Sequence, residues 1–83
     1  MTHIHAVTPL SGHRLLMEFD NGSSITVDLS PKLNTIRFAE LADETVFKNV
    51  RLHQETVVWG DGVLKIPLFE LIDVAVGGVY LAD

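Results

Sequence analysis

Apolar and polar residues alternate on both sides of a glycine-containing turn near the start of the chain. Residues 15–19 and 23–28 carry this alternation, and Asp20-Asn21-Gly22 separates them. Such a pattern is typical of a β-hairpin. A three-residue loop with a left-handed Gly22 places Met17 opposite Ile25 and collects the apolar side chains on one face. A two-residue loop mixes the two faces, so the pattern favours the longer loop.

The same alternation predicts strands elsewhere in the chain. Residues 3–8 form the first predicted strand and residues 9–12 a turn. The hairpin supplies the second strand, residues 14–19, and the third, residues 23–29. A second hairpin pairs residues 50–52 with residues 57–59 across a loop at residues 53–56. Its register places Leu52 opposite Val57 and Val50 opposite Trp59, which gives a second apolar face and makes Trp59 a structural core residue.

Helical segments are predicted between and after the hairpins. Ser30 is expected to cap a helical turn with Pro31 as its first residue, and a helix is expected over residues 36–42. Asp43 caps a short turn through residue 47. Pro67 starts the last helix, which runs to about residue 76 and ends at Gly77-Gly78. The residues predicted to face the sheet are Phe38, Leu41, Val46 and Phe47, followed in the last helix by Leu68, Leu71, Ile72 and Ala75.

Together these elements predict an α+β fold. We expect an antiparallel sheet of about five strands, a meander plus the second hairpin, with short helices packed on one face. The 83 residues form one small domain over positions 1–83.

The composition of the chain limits the cellular locations and the classes of binding partner that we expect. The chain contains no cysteine, which excludes disulfides, and no apolar stretch long enough to span a membrane. Its first residues have no signal-peptide pattern, so we expect a cytoplasmic location. The net charge is −5, and the basic residues are spread singly. Nucleic acid is therefore a poor ligand, whereas a small basic protein is a suitable partner.

Histidines are the main candidates for chemistry. His3 and His5 are two apart on a predicted strand, a spacing that lets both imidazoles reach one metal ion if His13 or His53 adds a third ligand. Surface histidines on an edge strand are the simpler interpretation. Ser11-Gly12-His13 places a hydroxyl near an imidazole, but on a turn expected to be exposed and without a nucleophile elbow.

The remaining polar motifs have structural explanations. Turns and caps account for Asp20, Asp28, Asp43 and Asp61. Neither Gly60-Asp61-Gly62 nor Gly77-Gly78 has the spacing of a phosphate-binding loop, and we predict no cofactor.

Several short pieces, taken in order, resemble a bacterial family of small domains of unknown function, DUF2442. They are Ile4-His5-Ala6-Val7, residues 15–22, Asp28-Leu29, residues 38–43 with Phe47, Val57-Val58-Trp59, and Ile66-Pro67 before a short helix. The resemblance covers residues 4 to about 71 and implies no established activity. It implies that some longer relatives carry an appended helix-turn-helix domain, which we do not expect here, and that some accompany a toxin-like protein.

These observations favour a non-enzymatic protein-interaction module, with an antitoxin-like or regulatory role as the more specific hypothesis. Val79, Tyr80 and Leu81 follow the predicted helix end and are apolar enough to dock on the same chain or on a second copy. We therefore expect a homodimer. The alternative is a small enzyme or metal-binding protein that uses the surface histidines.

Overall fold

The first three strands form one sheet. The computed structural model describes residues 3–76. Strands β1 (Ile4–Leu10), β2 (Arg14–Phe19) and β3 (Ser24–Asp28) form an antiparallel sheet with β2 in the centre. Met17 pairs with Ile25, and Phe19 N–H donates to the Ser23 carbonyl at 2.9 Å. Gly22 has a φ of +89°, so both the predicted register and the left-handed loop are confirmed.

The last three strands form a second sheet. Strands β4 (Val50–His53), β5 (Thr56–Trp59) and β6 (Leu64–Pro67) are antiparallel, with β5 in the centre. Val50 pairs with Trp59 and Leu52 with Val57, as predicted. The hairpin loop is shorter than expected, because His53 and Thr56 also pair.

The predicted single sheet of about five strands is wrong. Residues 29–49 separate β3 from β4, and the hydrogen-bonded strands of residues 3–76 form two sheets of three. Hairpins fix only local pairing, and the alternation pattern does not say which hairpins share a sheet. The sequence pattern does not predict strand β6, because the alternation covers only Leu64, Lys65 and Ile66 before Pro67, a residue typical of a helix start.

The segment between the sheets contains short helical pieces. A 3₁₀ turn covers Ser30–Lys32, a second covers Ala39–Ala42, and helix α1 covers Glu44–Lys48. The Asp43 carboxylate accepts from Thr45 N–H at 2.9 Å, which confirms the predicted cap. Helix α2 (Leu68–Ala75) follows β6 directly, with Pro67 as its N-cap residue.

Three local predictions in these regions are wrong. No continuous helix covers residues 36–42: residues 36–38 form turns and only Ala39–Ala42 is helical, as a 3₁₀ turn. A helix this short needs packing to be stable, and Ile36 at its predicted start is 98% exposed. Ser30 is not the cap but the first residue of its turn, and its N–H and hydroxyl both donate to the Asp28 carboxylate. Pro9 and Leu10 belong to β1, so the first turn is at residues 11–13.

One hydrophobic core joins both sheets to α2. The side chains of Met17, Trp59 and Leu71 are fully buried in the same cluster, from β2, β5 and α2 respectively. Phe38, Leu41 and Phe47 are buried there as predicted, and Val46 packs against them. The predicted end of α2 at Gly77-Gly78 lies outside the described residues, as do Val79, Tyr80 and Leu81.

Candidate functional site

Helix α2 presents apolar residues on two sides. The predicted stripe is confirmed for Leu71, which is fully buried, and for Leu68 and Ala75, which pack against the core. The fourth predicted residue, Ile72, lines a surface depression instead. Phe69 lies off that stripe and is 72% exposed. A phenyl ring on the outer side of a helix contributes little to the fold, so Phe69 is available for contact with another molecule.

A shallow depression lies beside Phe69. Phe69 itself, Pro67, Leu68 and Ile72 line it, and Glu55 and Thr56 complete its border. We call the four apolar residues Pro67, Leu68, Phe69 and Ile72 the α2 patch. The backbone at its base is fixed, because Leu68 N–H donates to the Glu55 carbonyl at 2.9 Å. The patch therefore combines a projecting aromatic ring with an adjacent apolar hollow on an anchored element.

An ion pair joins α2 to the loop before the second 3₁₀ turn. Arg37 Nε and Nη2 donate to the two carboxylate oxygens of Glu70 at 2.5 and 2.7 Å. These hydrogen bonds lower the pKa of Glu70 and raise the pKa of Arg37. Ile36 and Phe69 are the sequence neighbours of the two paired residues. These are the two most exposed large apolar side chains among residues 3–76, and Ile36 is 98% exposed.

The second sheet has a polar outer face. A wide depression there is lined by Arg51, His53, Thr56, Val58 and Lys65. A hydrogen bond to the turn after β5 orients Arg51, because its Nη1 donates to the Gly60 carbonyl at 2.6 Å. Thr56 borders both this face and the depression of the α2 patch, so the two surfaces adjoin.

The four histidines do not converge in the described part of the chain. His3 Nδ1 lies 3.4 Å from a Glu55 carboxylate oxygen, His5 is exposed, and a register shift between β1 and β2 falls at His5. His53 is on the outer face of the second sheet. Among residues 3–76, no three His, Asp or Glu side chains are placed to hold one metal ion.

His13 packs against an aromatic ring rather than beside a nucleophile. Its ring centroid lies 5.1 Å from that of Phe47, and its Nε2 is buried with no hydrogen-bond partner in the structure. Ser11 is exposed, and its carbonyl accepts from Arg14 Nε at 3.1 Å. No Ser–His hydrogen bond therefore links the two residues of the Ser11-Gly12-His13 motif.

Most of the singled-out carboxylates and structural residues have local roles. Asp20 accepts from His3 N–H at 3.1 Å, and the hydroxyl of Ser30 lowers the pKa of Asp28 by hydrogen bonding to it. Gly60 and Gly62 of the Gly60-Asp61-Gly62 motif both have positive φ in the turn between β5 and β6. Trp59 lies in the core, Gly22 in the first hairpin loop and Pro67 at the β6–α2 junction.

Three exposed residues of the α2 patch and of the outer face of the second sheet are not among the site residues predicted from the sequence: Phe69, Arg51 and Lys65. Phe69 carries a readable signal, because it is a large apolar residue outside the helical stripe. Arg51 and Lys65 come onto one face only when β6 is recognised, since both pair with Val58.

The fold and its surfaces define a small α+β domain of two three-stranded antiparallel sheets, a buried common core and an exposed apolar helix face. The chain belongs to the DUF2442 family, described as a protein of unknown function, which matches residues 4–73. Searches of curated proteins and of solved structures gave no significant match. Within residues 3–76, no helix has the length and apolar character needed to cross a membrane.

Proposed function

We propose that this chain is a non-enzymatic protein-interaction module that pairs with a second copy of itself through the α2 patch. The observation that carries the proposal is Phe69, which is 72% exposed beside an apolar depression that its own side chain helps to form. Ile36 is 98% exposed, and its neighbour Arg37 pairs with Glu70 of α2.

The shape of the patch favours a second copy as the occupant. A two-fold symmetric dimer brings the same surface together from both chains. The Phe69 ring of each copy can then enter the depression of its partner. Because every copy has one ring and one depression, both rings are buried in the dimer. If the helix presented the ring without an adjacent depression, a second copy would offer no place for the ring, and the partner would need a different shape.

The size of a stable interface requires further contributions. Such an interface buries about 800 Å² on each partner, and a single aromatic side chain supplies at most about 250 Å². Pro67, Leu68 and Ile72, which line the same depression, add to this area. The proposed interaction role of Val79, Tyr80 and Leu81 stays a prediction. These three residues begin three positions after Val76, which is partly exposed, and their side chains would add apolar area to the interface.

A basic protein is the second candidate partner. Glu55 borders the depression with a carboxylate that is half exposed, and the chain carries a net charge of −5. A small basic protein that covers the patch would neutralise the negative charge of the Glu55 carboxylate. Such a partner is the one that the antitoxin-like hypothesis calls for. The cytoplasmic location stays a prediction from the sequence.

Sedimentation velocity on the wild type, Phe69→Ser and Val63→Ser tests self-association. Val63 is the matched control, because it is an exposed apolar residue in the turn before β6 and outside the patch. Between about 10 and 200 µM we expect dimers of the wild type and of Val63→Ser, and monomers of Phe69→Ser with an unchanged melting temperature. A chain that ends at residue 78 should have a smaller dimer fraction. A monomeric wild type at about 100 µM contradicts the proposal.

A further inference from the structure

Basic residues are grouped on the outer face of the second sheet. Arg51 and Lys65 both pair with Val58, one from each neighbouring strand, so the three residues form a row across the sheet. His53, Thr56 and Pro67 form the next row. We call Arg51, His53 and Lys65, with Val58 and Thr56 between them, the basic face.

The charges of the basic face have no carboxylate partner in the described chain. The ion pairs within residues 3–76 are His3–Glu55 and Arg37–Glu70. Arg51, His53 and Lys65 are all exposed and belong to neither pair. This grouping occurs in a sequence with 11 acidic and six basic residues, where a cation has many potential partners. The two unpaired cations of this face, Arg51 and Lys65, create a local positive potential on an acidic protein.

We propose that the basic face binds an acidic segment of a partner protein. Neighbouring strands are about 4.8 Å apart, so Arg51 and Lys65 are separated by about 10 Å, whereas Arg51 and His53 are about 7 Å apart along β4. Alternate side chains of an extended peptide are also about 7 Å apart. A peptide with alternating carboxylates that lies along β4 can therefore reach Arg51 and His53, while a third carboxylate reaches across Val58 to Lys65.

The chemistry of this face favours carboxylates over nucleic acid. Single-stranded nucleic acid is held by aromatic side chains on which bases stack, together with a basic groove. The centre of the basic face consists of Val58 and Thr56, and the described face contains no Phe, Tyr or Trp. In addition, the net charge of −5 repels a long polyanion. A short acidic peptide makes contact with the local positive charges and avoids most of this repulsion.

Arg51 is pre-positioned for such contacts. Its Nη1 donates to the Gly60 carbonyl at 2.6 Å, which restricts the guanidinium before any partner arrives. A restricted side chain loses less conformational entropy on binding than a free one. The remaining guanidinium N–H groups can form the paired hydrogen bonds that arginine makes with a carboxylate.

Fluorescence anisotropy with two labelled probes tests the proposal on the full chain. One probe is a peptide of alternating Asp and Ser, about ten residues long, and the other is an oligothymidylate of equal charge. The test variant Arg51→Gln/Lys65→Gln and the control Lys32→Gln/Lys48→Gln each lose two positive charges and so have the same net charge. We expect the peptide to bind the wild type more tightly than the oligothymidylate does.

For the peptide, we expect affinity to fall at least about tenfold in Arg51→Gln/Lys65→Gln and to stay within about twofold in the control. Arg51→Gln also removes the bond to Gly60, so Lys65→Gln alone supplies a second variant and should weaken binding about threefold. Phe69→Ser should retain peptide binding, which separates this site from self-association. Equal losses in the two double variants, tighter binding of the oligothymidylate, or no peptide binding would overturn the proposal.

Discussion

The first sheet (β1–β3) and the second sheet (β4–β6) have the same antiparallel order, and each turns an apolar face toward the common core. Their outer faces differ in charge. On the first sheet Arg14 pairs with Asp28, and Glu18 lies on the same side, so charges of both signs are mixed. On the second sheet Arg51 and Lys65 flank Val58 without a carboxylate. The inner faces are constrained by packing, whereas the outer faces are free to carry recognition chemistry.

The largest expected effect concerns the core that both sheets share. Trp59→Ala in β5 should lower the free energy of unfolding by about 3–5 kcal/mol, and Met17→Ala in β2 by about 2–5 kcal/mol. Both side chains are fully buried in one cluster, so each loss leaves a cavity in the same core. Urea unfolding followed by circular dichroism should show one transition in each protein. Two separate transitions would show that the sheets are independent.

A smaller effect distinguishes the turns of the two sheets. Gly22 and Gly60 both have positive φ, but an added Cβ has open space at Gly22 and lies 3.0 Å from Val63 Cγ2 at Gly60. Gly22→Ala should therefore cost about 1 kcal/mol from backbone strain alone. Gly60→Ala should cost about 1–3 kcal/mol, because it adds a steric clash.

Two further variants identify the cause of these losses in the same unfolding measurement. Gly22→Asn should recover part of the stability, since asparagine tolerates the left-handed region. Val63→Ala in the Gly60→Ala background should relieve the clash and leave the backbone strain. Equal costs for Gly22→Ala and Gly60→Ala would mean that the Val63 side chain moves away freely.

The smallest effect comes from the ion pair beside the α2 patch. The Arg37 hydrogen bonds lower the pKa of Glu70 below its usual value of 4.5 in the folded protein. The pair therefore stabilises the fold fully above about pH 4.5, and this contribution is lost as pH falls through the lower folded pKa. Glu70→Gln should destabilise the protein at pH 7, and the difference from the wild type should shrink as the pH falls below about 4.5. A difference between the two proteins that does not change with pH would exclude the ion pair as its cause.

The first sheet was predictable because its sequence is locally consistent. Strict alternation and Asp20-Asn21-Gly22 select one register, and that register determines which side chains are buried. The second hairpin was predictable for the same reason. Strand β6 was not, because three alternating residues between a turn and a proline are too short to distinguish from a loop. The separation into two sheets depends on tertiary packing, which the alternation does not encode.

The candidate surfaces were less predictable than the fold. Phe69 could be read as an apolar residue outside the α2 stripe, but its exposure depends on what packs against the helix. The predicted helix includes Ile36, whereas in the structure this residue lies in a turn and is 98% exposed. A helix this short depends on tertiary packing, which a propensity argument does not include. The basic face requires the register of β6 against β5, so an error in one short strand concealed it.

The central claim is that contact with a second copy occurs at the α2 patch and not on the outer face of the first sheet. The most direct test is a dilution series of amide nitrogen–proton NMR spectra. The account predicts that resonances of residues 68–72 and of Arg37 shift with protein concentration, while those of Leu16 and Thr26 stay constant. Shifts confined to the first sheet, or spectra that do not change with concentration, would contradict it.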